Sequence, residues 1–175
     1  MRAAHLCLIA LLLGAAPGLT PCLAAAEAAS NSQLVRFQGK ARPGTIVVRT
    51  AERRLYLVLD RGVALRYPVG VGRPQEQWTG ASSIVGKFIR PNWAPPARIR
   101  RDRPNLPAVI ASGSPANPMG AAALTLAGNS YAIHGTNKPG SIGGFVSYGC
   151  IRMHNEDILD LFGRVQVGTR VLVIP

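Results

Sequence analysis

Cys150 and His134 are the two side chains of this 175-residue sequence best suited to covalent chemistry. A thiol of pKa about 8.5 is mostly protonated at neutral pH and is a poor nucleophile until it loses that proton. An imidazole beside it takes the proton and holds an ion pair, with His134 as base and Cys150 as nucleophile. Cys150 lies sixteen positions after His134, and Gly135, Gly140, Gly143 and Gly144 let the intervening loop fold back. Gly149, directly before Cys150, lets the backbone come close to a carbonyl substrate. The amides of Gly149 and Cys150 are then expected to hold an oxyanion, an effect of about 3 kcal/mol per donor. A backbone carbonyl near Gly135 can orient the imidazole as well as a carboxylate can. A zinc site needs three or four ligands at recognisable spacing, so one Cys and two His do not supply one. No metal or other cofactor is expected. His154, just before a helix start, reads as a local hydrogen-bonding residue.

The count of one Cys and two His rests on the N-terminus. Arg2 precedes an apolar run over residues 6–13, then small residues, then Ala24-Ala25-Ala26 before Glu27. That order is a secretory signal, residues 1–26, and its apolar core is shorter than the roughly 20 residues a membrane span needs. Export to the periplasm or cell wall follows, with no stable membrane insertion after cleavage. Pro21 stands where a small residue is wanted before a lipidated cysteine, which argues against lipidation at Cys22. Cleavage takes Cys7, Cys22 and His5 with it. A lone thiol in an oxidising compartment is unusual and asks for a chemical reason. Cleavage also leaves a net charge near +11, against +12 for the whole sequence, nearly all of it Arg. Such a charge suits an anionic partner: a polyanionic wall or substrates with free carboxylates. An Arg-rich, solvated surface is the plainer reading. No nucleic-acid motif is visible, and nucleic acid is not expected as a partner.

These residues need a scaffold. The sequence is 47% hydrophobic, which excludes a disordered chain, and its length suits one domain. Residues 27–43 are polar and mixed, and read as a tether or a loose first element. From Gly44 onward the pattern is β. Ile46-Val47-Val48 is β-branched, and Leu55, Leu57 and Leu59 alternate with Arg54, Tyr56 and Val58. Asp60-Arg61-Gly62 is a hairpin turn into residues 63–69, and a strand is expected near residues 84–89. Seven prolines between residues 90 and 120 exclude a long helix there and mark a long Pro-rich loop. Arg98, Arg100, Arg101 and Arg103 lie on that loop, lining a substrate groove or simply solvated. Gly128-Asn129 turns a hairpin that ends at His134. Asn155 is expected to cap a short helix with Glu156 and Asp157 in its first turn and Ile158, Leu159, Leu161 and Phe162 inside. Gly163 or Gly168 would end it, before a closing strand at residues 171–174. The whole is mainly β, with one or two short helices.

His134-Gly135-Thr136-Asn137 followed by Ser147-Tyr148-Gly149-Cys150-Ile151-Arg152-Met153 resembles the signature of the L,D-transpeptidase catalytic domain (YkuD type). The resemblance extends over residues 44–175, through Tyr67-Pro68-Val69-Gly70-Val71-Gly72, Trp93, Pro95-Pro96 and Asn117-Pro118-Met119-Gly120. It implies a β-sandwich-like catalytic fold acting on peptidoglycan stem peptides. In such enzymes the cysteine attacks the carbonyl of the third stem residue, usually a diamino acid, and releases the terminal D-alanine. The thioester then passes to an amine acceptor, a second stem peptide or a lipoprotein. Carried over, Cys150 is the nucleophile, His134 the base and the Gly135 main chain its orienting group. The Gly149 and Cys150 amides, with Tyr148, make the oxyanion hole. Ser147 and Arg152 fix the loop or meet a substrate carboxylate; for Arg152 a structural ion pair is the other reading. The family's Pro-Thr-Pro-x-Gly stretch is replaced here by Gln77-Trp78-Thr79-Gly80, which bears on groove shape and acceptor choice. A hydrolase using water (an L,D-carboxypeptidase or amide hydrolase), or a wall-binding module without catalysis, are the alternatives.

Overall fold

β-Branched and leucine runs cut short by Gly and Pro fold as strands, because neither breaker lets a helix extend. The computed structural model describes residues 29–128 and 130–175. The expected signal peptide with Cys22, and Asn129 of the expected turn, lie outside the described residues. The elements run β1 (Gln33–Arg36), β2 (Ile46–Arg49), β3 (Arg54–Asp60), β4 (Val63–Pro68), β5 (Val71–Gly72), β6 (Gly80–Ile89), α1 (Ala97–Asp102), β7 (Ala122–Leu126), β8 (Ala132–His134), β9 (Phe145–Ser147), β10 (Ile151–Arg152), α2 (Asn155–Arg164) and β11 (Arg170–Ile174).

Nine strands join in the order β1-β4-β3-β2-β11-β6-β7-β8-β10, while β5 and β9 pair separately. β6 is the pivot. Residues 80–83 pair with β11, and from Ile84 onward the strand pairs with β7. A register shift between Ile84 and Gly86 marks the changeover, the kind of irregularity that lets a sheet bend. One core then draws on both halves: Ile46, Leu55 and Tyr67 from one side, Leu124, Ile133 and Ile151 from the other, with Ile158 and Leu161 of α2. This is the sandwich-like, mainly β architecture the sequence implied.

Two expectations change. Part of the 27–43 stretch is strand, not tether: β1 pairs antiparallel along β4, Gln33 opposite Arg66 through Arg36 opposite Val63. Phe37 follows it and is buried with Val47, Tyr56, Val58 and Ala64, packed by Val35 and Ala41. Both faces of β3 are therefore covered. Leu55 and Leu57 enter the main core, and Tyr56 and Val58 enter this second cluster. Leu59 falls where the β3–β4 register shifts, and is exposed.

The second change concerns the helix. α2 buries Ile158 and Leu161 with Phe162 against them, but Leu159 is 45% exposed, because it lies about 100° round the helix from Ile158. Gly163 lies inside α2 rather than ending it. Lys87 of β6 closes the helix's carboxyl end, its Nζ donating to the Phe162 and Val165 carbonyls at 2.7 and 2.6 Å, where a cation meets orphan carbonyls and the negative dipole end.

Candidate active site

β8 brings His134 to the site and β10 brings Cys150. The two strands are parallel neighbours, Ile151 opposite Ile133 and Arg152 opposite His134. Cys150 precedes β10, so it stands one diagonal step from His134. Strand spacing puts such Cα atoms about 8 Å apart, within reach of side chains on one face. Both residues open onto one cavity of about 800 Å³, which also takes Arg152, Ser147, Tyr148 and Tyr131 in its wall. Among the described residues no hydrogen bond joins the thiol to the imidazole. The thiol instead has the Ala132 amide as a backbone partner and feels the Arg152 charge.

His134 is almost wholly buried. Its Nδ1 lies 2.7 Å from the Gly135 carbonyl oxygen. A carbonyl only accepts, so Nδ1 carries the proton and Nε2 of the neutral ring is the free base. Burial, and then the Arg152 charge, push His134 down to about 4, against the pull of the Gly135 and Pro118 carbonyls. Burial likewise raises the Cys150 thiol, with the Ala132 amide and Arg152 opposing it. Burial thus disfavours the charged form of both groups and works against the expected thiolate–imidazolium pair before substrate binds.

That burial has a consequence for stability. Between the ordinary value of 6.5 and about 4, the unfolded chain binds a proton at His134 that the folded chain refuses. Stability contributed by the neutral ring is complete above pH 6.5 and is lost as pH falls through that window, by about 3 kcal/mol. Urea unfolding at pH 7 and pH 4.5 should show a larger loss for the wild type than for His134→Gln. Equal losses would show that the ring titrates as if exposed.

The loop that presents Cys150 is held from three sides. Ser147 is buried; its Oγ donates to the Cys150 carbonyl at 2.6 Å and accepts the Gly149 amide at 3.1 Å. This corrects one expectation: the Gly149 amide already has an acceptor and is not a free oxyanion donor. Among the described residues no protein acceptor takes the Tyr148 or Cys150 amide. Trp78 Nε1 donates to the Gly149 carbonyl at 2.9 Å, and the Trp78 ring stacks on Tyr131 with centroids 5.4 Å apart. Tyr131 in turn lies against Gly149, where an added methyl would come within 2.4 Å of the ring. Tyr148 has its ring beneath the Arg73 guanidinium at 4.1 Å and near that of Arg98 at 5.8 Å.

Trp78→Phe would keep a ring on Tyr131 and delete one hydrogen bond, worth about 1 kcal/mol. If that bond closes the loop, Cys150 should be alkylated by iodoacetamide about fivefold faster in the variant, through local opening. An unchanged rate would assign Trp78 to packing alone.

Asn155 does not cap α2. No side chain caps this helix, and His154 holds the capping position. Asn155 Oδ1 instead accepts the Ala121 amide at 3.0 Å and the Thr136 amide at 3.1 Å, and its Nδ2 donates to the Thr136 carbonyl at 3.1 Å. It thereby ties the turn after His134 to the residue that leads into β7. A methyl on Gly135 would come 2.3 Å from Asn155 Oδ1, so the residue after His134 is glycine for closeness. Asn117 organises the Pro-rich excursion in the same way. It is buried, donates to the Pro91 carbonyl at 2.9 Å and accepts the Met119 amide at 2.9 Å. Trp78, Asn117 and Asn155 are named in the sequence reading without these supporting contacts, and Tyr131 without any role.

Arg152 is half-buried, and its Nε is a buried donor with no acceptor. The acidic partners among the described residues go elsewhere: Glu52 to Arg49, Glu76 to Arg73 and Arg98, Asp160 to Arg164. The structural ion pair considered for Arg152 is thus not formed among them. Of the four loop arginines, Arg103 lines the cavity; Arg98 instead pairs with Glu76.

A bent β-sheet whose cleft holds a loop cysteine, a main-chain-oriented histidine and an arginine Nε without an acceptor among the described residues defines a thiol-bearing β domain. The model of the L,D-transpeptidase catalytic domain (YkuD) matches residues 43–173, and the chain belongs to that family. The probable L,D-transpeptidase ErfK/SrfK of Escherichia coli K12 is 40% identical over 158 residues, 83% of this chain and 50% of that protein. The probable L,D-transpeptidase YbiS of the same strain is 42% identical over 138 residues, 74% of this chain and 44% of that protein. The chain thus spans about half the length of the curated relatives it matches. In three dimensions it is similar to the catalytic domain of an Enterococcus faecium L,D-transpeptidase acylated by ertapenem. That match has a TM-score of 0.58 at 20% identity, and covers 78% of this chain and all of that one. It shows the shared fold.

Proposed function

We propose that this chain is an exported cysteine acyltransferase of the cell wall, an L,D-transpeptidase. The carrying observation is the placement of Cys150 and His134 in the wall of one cavity, with Nδ1 of the imidazole committed to Gly135 and Nε2 left as base. His134 Nε2 takes the thiol proton as the sulfur attacks the carbonyl of the diamino acid in a stem tetrapeptide. Starting from neutral partners, which burial favours, no resting charge has to be desolvated. Closing the diagonal between the two side chains belongs to the substrate complex, since catalytic hydrogen bonds commonly tighten only there. The oxyanion is received by the Cys150 and Tyr148 amides. Collapse breaks the C–N bond, the departing D-alanine nitrogen takes the proton from His134, and a thioester remains. An acceptor amine, from a second stem peptide or a lipoprotein, gives its proton to His134 and displaces the sulfur.

No helix of the described residues is long and apolar enough to cross a membrane, and the signal-like N-terminus supports export. Ertapenem acylation of the E. faecium domain supplies a probe for this one. Incubation with a tetrapeptide muropeptide and an amine acceptor, followed by mass analysis, should give the Cys150 thioester, free D-alanine and a joined product. Tripeptide without joined product would assign water as acceptor. Wall binding without any adduct would make the domain a binding module.

A further inference from the structure

We propose that the outer face of β2 and β11 is a docking groove for an acidic glycan, a sugar polymer that carries acid groups, at a site separate from the Cys150 cavity. The groove holds about 460 Å³. It shares no lining residue with the Cys150 cavity, and β6 and β7 stand between β11 and β8 in the sheet. Its shape follows from strand alternation. Ile46, Val48, Val171 and Val173 enter the main core, so Val47, Arg49, Arg170, Leu172 and Ile174 point to the other face. On β6 only Ala81 stands opposite Leu172, and only Ser83 opposite Arg170. Side chains that small leave the face open. The stretch after β1 builds the wall along β2, and Arg49 pins it. Its guanidinium lies over the Phe37 and Tyr56 rings at 5.4 and 5.2 Å, donates to the Gln38 carbonyl at 2.6 Å and pairs with Glu52 at 2.9 Å. Ala41 packs on the Phe37 cluster, and the Arg42 carbonyl accepts the Thr45 amide at 3.1 Å. The groove is thus built before any ligand arrives, as binding clefts commonly are.

Its charge selects the occupant. Four cations line the groove, Lys40, Arg42, Arg49 and Arg170, and no Asp or Glu does. Glu52 answers Arg49. The side chains of Lys40, Arg42 and Arg170 are exposed, and no carboxylate pairs with them among the described residues. Beneath them Val47 is buried and Leu172 half-buried. An apolar floor rimmed by unanswered cations complements a sugar chain, whose C–H faces lie on aliphatic surface while its acid groups reach the rim. Other polyanions fit less well. Single-stranded nucleic acid stacks on open aromatic rings, and Phe37, the ring in this groove, is buried with Arg49 over it. A bilayer takes protruding apolar side chains, whereas Val47 and Leu172 are recessed behind the cations. A glycan held here would keep the protein on an acidic sugar surface and leave the Cys150 cavity open.

The test measures binding of labelled oligogalacturonate, a linear carboxylated sugar chain, by fluorescence anisotropy. Its neutral methyl ester and an oligoglutamate of equal charge are the comparisons. The carboxylated sugar should bind about tenfold or more tighter than either. Lys40→Gln/Arg42→Gln/Arg170→Gln should lose about tenfold in affinity, as three exposed charge contacts together would. Its Tm should hold, because all three side chains are exposed; Lys40→Gln alone, losing about twofold, serves if the Tm falls. Arg61→Gln/Arg100→Gln/Arg101→Gln removes the same charge from exposed positions outside the groove and should lose no more than about twofold. Equal losses in the two triple variants would reduce the affinity to net charge and overturn the proposal. So would oligoglutamate, or vesicles of anionic lipid, showing the same dependence on Lys40, Arg42 and Arg170 as the sugar, since the groove would then not read a glycan. Acylation of Cys150 by ertapenem should run at an unchanged rate with the groove filled. Acylation blocked by the sugar would place it in the catalytic cavity and overturn the separate site, while the acyltransferase reading would stand on the adduct itself.

Discussion

Cys150→Ala should leave no covalent adduct with a stem tetrapeptide or with ertapenem, and should lower turnover by about 10⁴-fold or more. The size follows from the role. Removing a nucleophile leaves only binding and oxyanion contacts, and what those retain is a small remnant over the reaction in water. The fold should be indifferent. The Cys150 carbonyl, not its side chain, receives Ser147 Oγ, and the residue is half-buried rather than a core member. A Tm within a few degrees of wild type, together with lost turnover, is the expected pair of results. His134→Ala should give a comparable loss, because desolvation raises the Cys150 thiol and it resists ionising without a base. Wild-type turnover in Cys150→Ala would refute the mechanism outright. An adduct that forms on Cys150 while peptide turnover stays absent would keep the nucleophile and reject the donor proposed for it.

The pair at the centre of that prediction was legible because its chemistry is local. A lone thiol, the glycine before it and a histidine ending a strand are visible in order along the chain. The hairpins were legible for the same reason: Gly62 and Gly128 take positive φ in their turns, as residues without Cβ do readily. What escaped is tertiary. Asn155 opens a helix, where an asparagine reads as a cap; that its amide serves Ala121 and Thr136 depends on strands packed beside it only after folding. Trp78 carries no periodic signal, and its partner Gly149 is 71 residues away. The polar look of residues 27–43 hid an edge strand, because β1 has little buried surface and takes its order from hydrogen bonding to β4. Alternation along β3 implied one inner and one outer face, and it took Phe37, arriving from that same stretch, to bury the second. Arg152 shows the limit most plainly. Its sequence position allowed an ion pair or a substrate contact, and the ion pair is set aside only by where the carboxylates among the described residues lie.

Gly149→Ala is expected to be nearly as damaging as loss of the sulfur, for a purely steric reason. Gly149 has φ +113, a backbone conformation that side-chain-bearing residues adopt only under strain. Its missing Cβ would lie 2.4 Å from Tyr131 Cε1 and 2.7 Å from Cζ. The Tyr131 ring cannot simply withdraw, since Trp78 stacks on it and at the same time grips the Gly149 carbonyl. Either the ring pair separates or the loop shifts, and each breaks contacts that hold Cys150 in place. Strain and overpacking together should lower stability by about 3 kcal/mol or more. A displacement of the nucleophile near 1 Å is enough to cost about 10²-fold in kcat. Gly140→Ala is the matched control, because an added methyl there meets open space, and its stability should change by no more than about 0.5 kcal/mol. If Gly149→Ala melts and turns over like Gly140→Ala, the loop is compliant and the Trp78–Tyr131–Gly149 stack does not hold the nucleophile. If stability falls while acylation of the remaining folded protein proceeds at the wild-type rate, the stack supports the fold without aiming the sulfur.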